Sequence, residues 1–235
     1  MSDAKLYHVP LRFRLIRPVL KTLFRGLFHA LARITITGQE NIPTGRSYVA
    51  AMNHVSIYDP PFVAAFWPEY LEIIGANVVF SRPGQGQLLR LYGVIPVHRG
   101  VSDRPLFTKL ISILRSGRPL LIAPEGARSH DPAMRRAMPG IAYLVEKTGA
   151  PVVPVGIVGT TEDFWQRARR GEKPVLEMHI GKPITLPPIA TQGTDKRAAR
   201  QQNADLVMSY LAGLLPEEYR GVYAGSAIFP SQTGQ

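Results

Sequence analysis

Cysteine is missing from this 235-residue chain. Its absence excludes disulfides, a thiolate metal site and a covalent thioester on the protein itself. Acid is scarce as well: 17 Asp and Glu stand against 28 Lys and Arg. Between Lys5 and Glu40 there is no acidic residue at all. A surface of this balance attracts nucleic acid, anionic lipid or phosphorylated small molecules, and charge alone does not choose among them. Long apolar runs are also lacking. No stretch of about 18 or more apolar residues reads as a spanning helix. Residues 1–10 carry Asp3, His8 and Pro10 without an apolar core, so no signal peptide is expected. What is present is a hydrophobic content of 45%, enough for one sizeable domain.

The N-terminal region has helical periodicity from Leu15 to Leu31. Ile16, Leu20, Leu23, Phe24, Leu27, Phe28 and Leu31 recur at spacings of three and four. Arg17, Lys21, Arg25, His29 and Arg33 form a second ridge, each four apart. Pro18 is expected in the first turn or as a break. An apolar face backed by a basic ridge describes a helix lying in the plane of an anionic membrane surface. A core-packing helix with a solvated basic back fits the same pattern. The membrane reading treats residues 1–46 as an appendage that could be removed near Arg33 without loss of the fold.

Beyond it the chain alternates. Strands are expected at 47–52, within 72–80, and at 94–98, 119–123, 152–158 and 175–180. Helices are expected at 60–67, 85–92, 106–115, 138–147 and 196–215. This alternation predicts an α/β fold with a largely parallel central sheet flanked by helices. The main domain is expected over 47–215, followed by a poorly patterned and partly disordered tail at 216–235.

Four segments carry candidate chemistry. In Asn53-His54-Val55-Ser56-Ile57-Tyr58-Asp59-Pro60 a histidine and a carboxylate lie five positions apart at a strand-to-helix junction. Imidazole can take a proton near neutral pH, and a carboxylate can fix its tautomer. Asp59 before Pro60 also reads as a helix N-cap. Next, the apolar strand Gly93–Val97 runs into His98-Arg99-Gly100, and an arginine there can fork onto phosphate or carboxylate. Third, a buried strand ends in Pro124-Glu125-Gly126-Ala127-Arg128-Ser129. Fourth, Val152–Thr160 carries a proline and glycines that are odd in a central strand, and is expected to line a cleft.

The order and spacing of the four resemble the glycerolipid acyltransferase family, of which the 1-acylglycerol-3-phosphate acyltransferases are the best-known members. The His-x-x-x-x-Asp signature appears as His54…Asp59. The second block matches at Gly93, Ile95, Pro96 and Arg99, the third at Pro124, Glu125, Gly126, Arg128 and Ser129, the fourth at Val153, Pro154 and Val155. Ala123 and Ala127 depart from the usual Phe and Thr of the third block.

The resemblance implies transfer of an acyl group from acyl-CoA or acyl carrier protein to a lysophospholipid hydroxyl, with 1-acyl-sn-glycerol-3-phosphate as the leading acceptor. His54 and Asp59 would be catalytic; Asn53, Arg99, Glu125, Gly126, Arg128 and Ser129 would bind substrate. Ser56 would be structural. No metal or cofactor beyond the acyl co-substrate is implied. The expected location is the cytoplasmic face of a membrane, peripheral or monotopic. A phosphate-free lysolipid such as lyso-ornithine lipid remains open as acceptor, as does a non-catalytic binder of anionic lipid. No nucleic-acid recognition pattern accompanies the charge, and no specific nucleic acid is expected.

Overall fold

A computed structural model describes residues 6–98, 103–129, 131–189 and 194–229. The strand before the His54 segment, β2 (Val49–Met52), is buried at every position. Val49 and Ala51 join one core, Ala50 and Met52 the other. This is the alternation of a strand covered on both faces, which needs apolar residues throughout. Its sheet also holds β1 (Arg33–Thr37), β3 (Glu72–Ala76), β4 (Ile95–Val97), β5 (Leu120–Ile122), β6 (Val152–Val158) and β7 (Val175–Ile180). The order is β1-β7-β6-β2-β5-β3-β4. Every pairing is parallel except β6 with β7.

Helices cover both faces. On one side, α1 (Leu11–Leu31), α2 (Asp59–Phe66), α3 (Gln85–Tyr92) and α6 (Phe164–Arg169) enclose an aromatic-rich core. On the other lie α4 (Arg104–Arg115), α5 (Gly140–Thr148) and α7 (Thr194–Ala212). The neighbours β6, β2 and β5 run in one direction, so the loops leaving their carboxyl ends gather at one edge of the sheet.

Several expectations need correction. Within 72–80 one short strand forms as expected, ending at Ala76, and Asn77–Ser81 forms a 3-10 turn. Pairing with β4 ends at Ala76–Val97, so the valines beyond it have no partner strand. Two elements went unseen: β1, whose polar alternation marks a half-exposed edge, and the short α6. Pro18 neither opens nor breaks α1 but lies within it. The described part of the tail, to residue 229, forms 3-10 turns at Glu217–Tyr219 and Gly221–Ser226, with Tyr219 and Tyr223 buried against the α7 core.

The boundary expected at 46/47 is not a break in packing. β1 extends the sheet, and Phe28 of α1 stacks edge-on against Phe62 of α2 at 5.3 Å. Removal of residues up to Arg33 would therefore strip the aromatic core. The start of the basic ridge is reversed relative to expectation: Arg17 and Lys21 turn toward the protein, whereas Arg25, His29 and Arg33 stay exposed. Arg17 is 1% exposed and forks onto Glu72 with both bonds at 2.8 Å. Arg118 adds a bond to the same carboxylate at 2.9 Å, and the Tyr7 hydroxyl donates to it at 3.1 Å. Burial alone would raise the Glu72 carboxyl, but Arg17, then Arg118, holds it below its ordinary value. Lys21 donates to the carbonyls of Trp67 and Pro68 at the end of α2, and Arg25 lies over the Phe66 ring. The outward ridge is apolar instead: Leu11, Leu15, Val19, Leu23 and Leu27, four apart, are all exposed.

Candidate active site

The loop leaving β2 is built around the Asp59 carboxylate. Asp59 is the first residue of α2, yet it does not cap the helix. Its Oδ2 points backward and accepts from the amides of Val55 and Ser56 and from His54 Nδ1, each at 2.8 Å. Its Oδ1 accepts from the hydroxyls of Ser56 and Thr160. A carboxylate accepting from Nδ1 keeps the ring proton there and leaves the Nε2 lone pair free. Asp59 is fully buried, while the His54 side chain keeps 16% exposure. Ser56 is buried, and its hydroxyl also accepts from Tyr58 N, which makes it a loop brace.

Asn53 and Glu125 hold this loop from behind. The Asn53 side chain pairs with both backbone groups of Ile157 in β6, accepting at 2.7 Å and donating at 2.9 Å. It is fully buried and bonded through both its oxygen and its nitrogen, so it orients the β2 exit without reaching the cavity described below. Glu125, just past β5, accepts from His54 N at 2.9 Å and from Arg135 N at 2.8 Å. Burial pushes its carboxyl above the ordinary value, and the Arg135 and His54 amides oppose that shift. Ser129 is buried too, donating its amide to His54 O and its hydroxyl to Glu125.

Gly126 makes the turn between these supports. Its φ of +69° lies in the left-handed region, and a Cβ there would press on Met138 at 3.1 Å. Gly126 and Arg128 face the same cavity as His54. Arg128 has no carboxylate partner among the described residues. Arg99, expected to bind substrate beside it, lies outside the described residues, as does Gly100.

The cavity has a volume of about 340 Å³ and is lined largely by apolar atoms. Leu20 and Phe24 of α1, Ala64 and Ala65 of α2, and Leu88 and Leu89 of α3 form its walls. The helix that carries the exposed leucine ridge is thus also a wall of the site. No sequence signal marks this, because the lining comes from three helices that only packing brings together. The fourth segment does not line the cavity as expected. Two residues past the end of β6, Thr160 reaches Asp59 from outside the cavity, and no sequence signal singles it out. Among the described residues no cluster of His, Asp or Glu is placed to hold a metal ion.

A buried carboxylate, an imidazole facing an apolar cavity, and an unpaired arginine beside it form a site suited to deprotonating a hydroxyl next to an anionic group. The comparisons agree with that chemistry. A 1-acyl-sn-glycerol-3-phosphate acyltransferase of Borreliella burgdorferi is 30% identical over 157 residues, covering 66% of this chain and 61% of that protein. A lyso-ornithine lipid O-acyltransferase of Pseudomonas aeruginosa is 27% identical over 178 residues, covering 68% of this chain and 66% of that protein. A chloroplastic 1-acyl-sn-glycerol-3-phosphate acyltransferase of Brassica napus matches over only 37% of its own length. The crystal structure of the 1-acyl-sn-glycerophosphate acyltransferase PlsC from Thermotoga maritima shares the fold, with a TM-score of 0.61, 22% identity, and coverage of 83% of this chain and 78% of that one. The sequence model of the Acyltransferase family matches residues 33–158, more than half of the chain, and takes in His54, Asp59, Glu125 and Arg128. The chain belongs to the acyltransferase family.

Proposed function

We propose that this protein moves a fatty acyl group from an acyl thioester to the hydroxyl of a lysophospholipid, with 1-acyl-sn-glycerol-3-phosphate as the acceptor. The observation that carries the reading is the placement of His54: Nδ1 on a buried carboxylate, the rest of the ring on an apolar cavity that also holds Arg128. His54 Nε2 takes the hydroxyl proton as the acceptor oxygen attacks the thioester carbonyl. The tetrahedral intermediate collapses, the carbon–sulfur bond breaks, and the imidazolium returns its proton to the leaving thiolate. Asp59 stabilises the imidazolium between those steps. The apolar cavity suits an acyl chain, and Arg128, with Arg99, suits the acceptor phosphate. Acyl-CoA and acyl carrier protein both present the required thioester.

Thioester consumption with long-chain acyl-CoA and lysophosphatidic acid tests the reading. The similarity to a lyso-ornithine lipid acyltransferase supplies the one alternative acceptor. Arg128→Ala separates the two. With a phosphate acceptor kcat/KM should fall by about 10- to 100-fold, the loss of one or two charge-assisted hydrogen bonds. An acceptor without phosphate should be indifferent; turnover of lyso-ornithine lipid without turnover of lysophosphatidic acid by the wild type would overturn the phosphatidic-acid reading.

The same proposal places the protein on a membrane surface at the cytoplasmic face, through the exposed ridge of α1. No described helix is long and apolar enough to cross a bilayer. Leu15 and Leu23 are 65% and 64% exposed and point away from the core. Leu15→Glu with Leu23→Glu should reduce partition onto phosphatidylglycerol vesicles by about 10-fold or more, since apolar burial contributes roughly 25 cal/mol per Å². Unchanged partition in a sedimentation assay would refute docking through this face.

A further inference from the structure

We infer that Thr160 is a positioning residue for the His54–Asp59 pair, and that Tyr219 of the C-terminal segment holds Thr160 in place. The inference rests on the acyl-transfer reading of the site. The two oxygens of Asp59 have different surroundings. Oδ2 is fixed by three nitrogen donors, all from His54, Val55 and Ser56. Oδ1 has only hydroxyls: Ser56 at a long 3.4 Å, and Thr160, which makes the close bond. Ser56 belongs to the same short loop and moves with it. Thr160 comes from the end of β6, 101 residues further along, and is 1% exposed. Among the described residues it is thus the one long-range tie on this carboxylate. Because a carboxylate only accepts, the threonine hydroxyl must donate. A donor fixed to β6 sets the plane of the carboxylate and with it the direction of the Oδ2–imidazole bond.

The chain is shaped to place that donor. Gly159 has a φ of +86°, and a Cβ there would stand 2.1 Å from Val175 O. Only glycine makes this turn. The Gly159 amide donates to the Tyr219 hydroxyl at 3.1 Å. Tyr219 also accepts through its carbonyl from Met134 N at 2.9 Å. The next residue, Arg135, donates to Glu125, whose other oxygen accepts from His54 N. One buried tyrosine therefore supports His54 from two directions, through Thr160 and Asp59 and through the Glu125 loop. Neither Thr160 nor Tyr219 lines the cavity, so neither meets substrate.

Thr160→Val keeps the shape and removes the donor. The expected result is a fall in kcat of about 10²-fold, the scale of a small misplacement of reacting groups, with KM for both substrates nearly unchanged. Thr160→Ser should restore most of the rate. In an Asp59→Asn background the valine change should cost less than about twofold, because a residue acting through Asp59 has nothing left to act on. Tyr219→Phe should lower kcat in the wild type and add little to Thr160→Val. A wild-type kcat in Thr160→Val, a rise in KM alone, or an equal loss in both backgrounds would overturn the inference. If the valine variant does not fold, Thr160→Ala against Thr160→Ser makes the same comparison, and equal rates would overturn it. A substrate-free readout is the downfield proton resonance of the Nδ1–H bonded to Asp59. It should shift or broaden in Thr160→Val and persist in Thr160→Ser; no change in either would also overturn the inference. His54→Ala separates the two levels of argument. Wild-type turnover there removes the acyl-transfer reading itself, whereas an inactive His54→Ala beside a fully active Thr160→Val removes only the role of Thr160.

Discussion

Replacing His54 with alanine should lower kcat by about 10²- to 10⁴-fold, the range contributed by a positioned general base. KM for acyl donor and acceptor should stay close to wild type, because the imidazole contributes one face of a cavity formed by many other side chains. The fold should survive. His54 keeps partial exposure, and the amides of Val55 and Ser56 still bind the Asp59 carboxylate after the ring is gone. A melting temperature within a few degrees of wild type would confirm that the loss is chemical. Equal turnover by both proteins would remove His54 from the reaction and with it the mechanism proposed above.

The largest effect on stability is expected at Glu72. Glu72→Gln leaves the Arg17 guanidinium buried with no opposing charge, a change that typically costs about 3–5 kcal/mol. For a domain of this size that corresponds to a fall in melting temperature of roughly 6–20 °C. Arg118 can turn its charge to solvent, since it is 29% exposed, but Arg17, at 1%, cannot. Removing both charges together, as Arg17→Met with Glu72→Leu, should recover much of the loss, because the desolvation penalty disappears with the pair. Acid should mimic the single change. The folded carboxyl titrates below its ordinary value of 4.5. Its contribution is therefore complete above that value and is lost as pH falls through the lower folded one. Thermal melts of wild type and Glu72→Gln from neutral pH into this range check the sign: the gap between them should narrow as pH falls. A constant gap would mean that the carboxylate charge is not what holds α1.

Much of this was legible in the sequence for identifiable reasons. Buried parallel strands announce themselves as short apolar runs, and β2, β5 and β6 fell where expected. Their abrupt ends at Asn53, Pro124 and Gly159 mark where loops leave the sheet. His54 and Asp59 were legible as a pair because both sit in one loop. Asn53, Glu125 and Ser129 were harder. Sequence marks them as important but does not distinguish a group that touches substrate from one that braces a backbone group; in the structure all three hold backbone groups. Thr160 and Tyr219 were not legible, because their roles depend on contacts across 101 and 60 residues of chain. The direction of α1 misled for a related reason. Arginine at helical spacing reads as a solvated stripe until a carboxylate from elsewhere, here Glu72, is found waiting beneath it.

The inward orientation of Arg17 has a consequence for salt. Mobile ions screen exposed charges over about 8 Å at physiological ionic strength but do not enter a dry ion pair. The exposed Arg12 and Arg14, which remain available to an anionic surface, should lose their grip as salt rises. Arg17 and Glu72 should not. Under the docking proposed above, raising ionic strength would then weaken the charged part of the contact while leaving α1, and with it the cavity wall, seated on the domain.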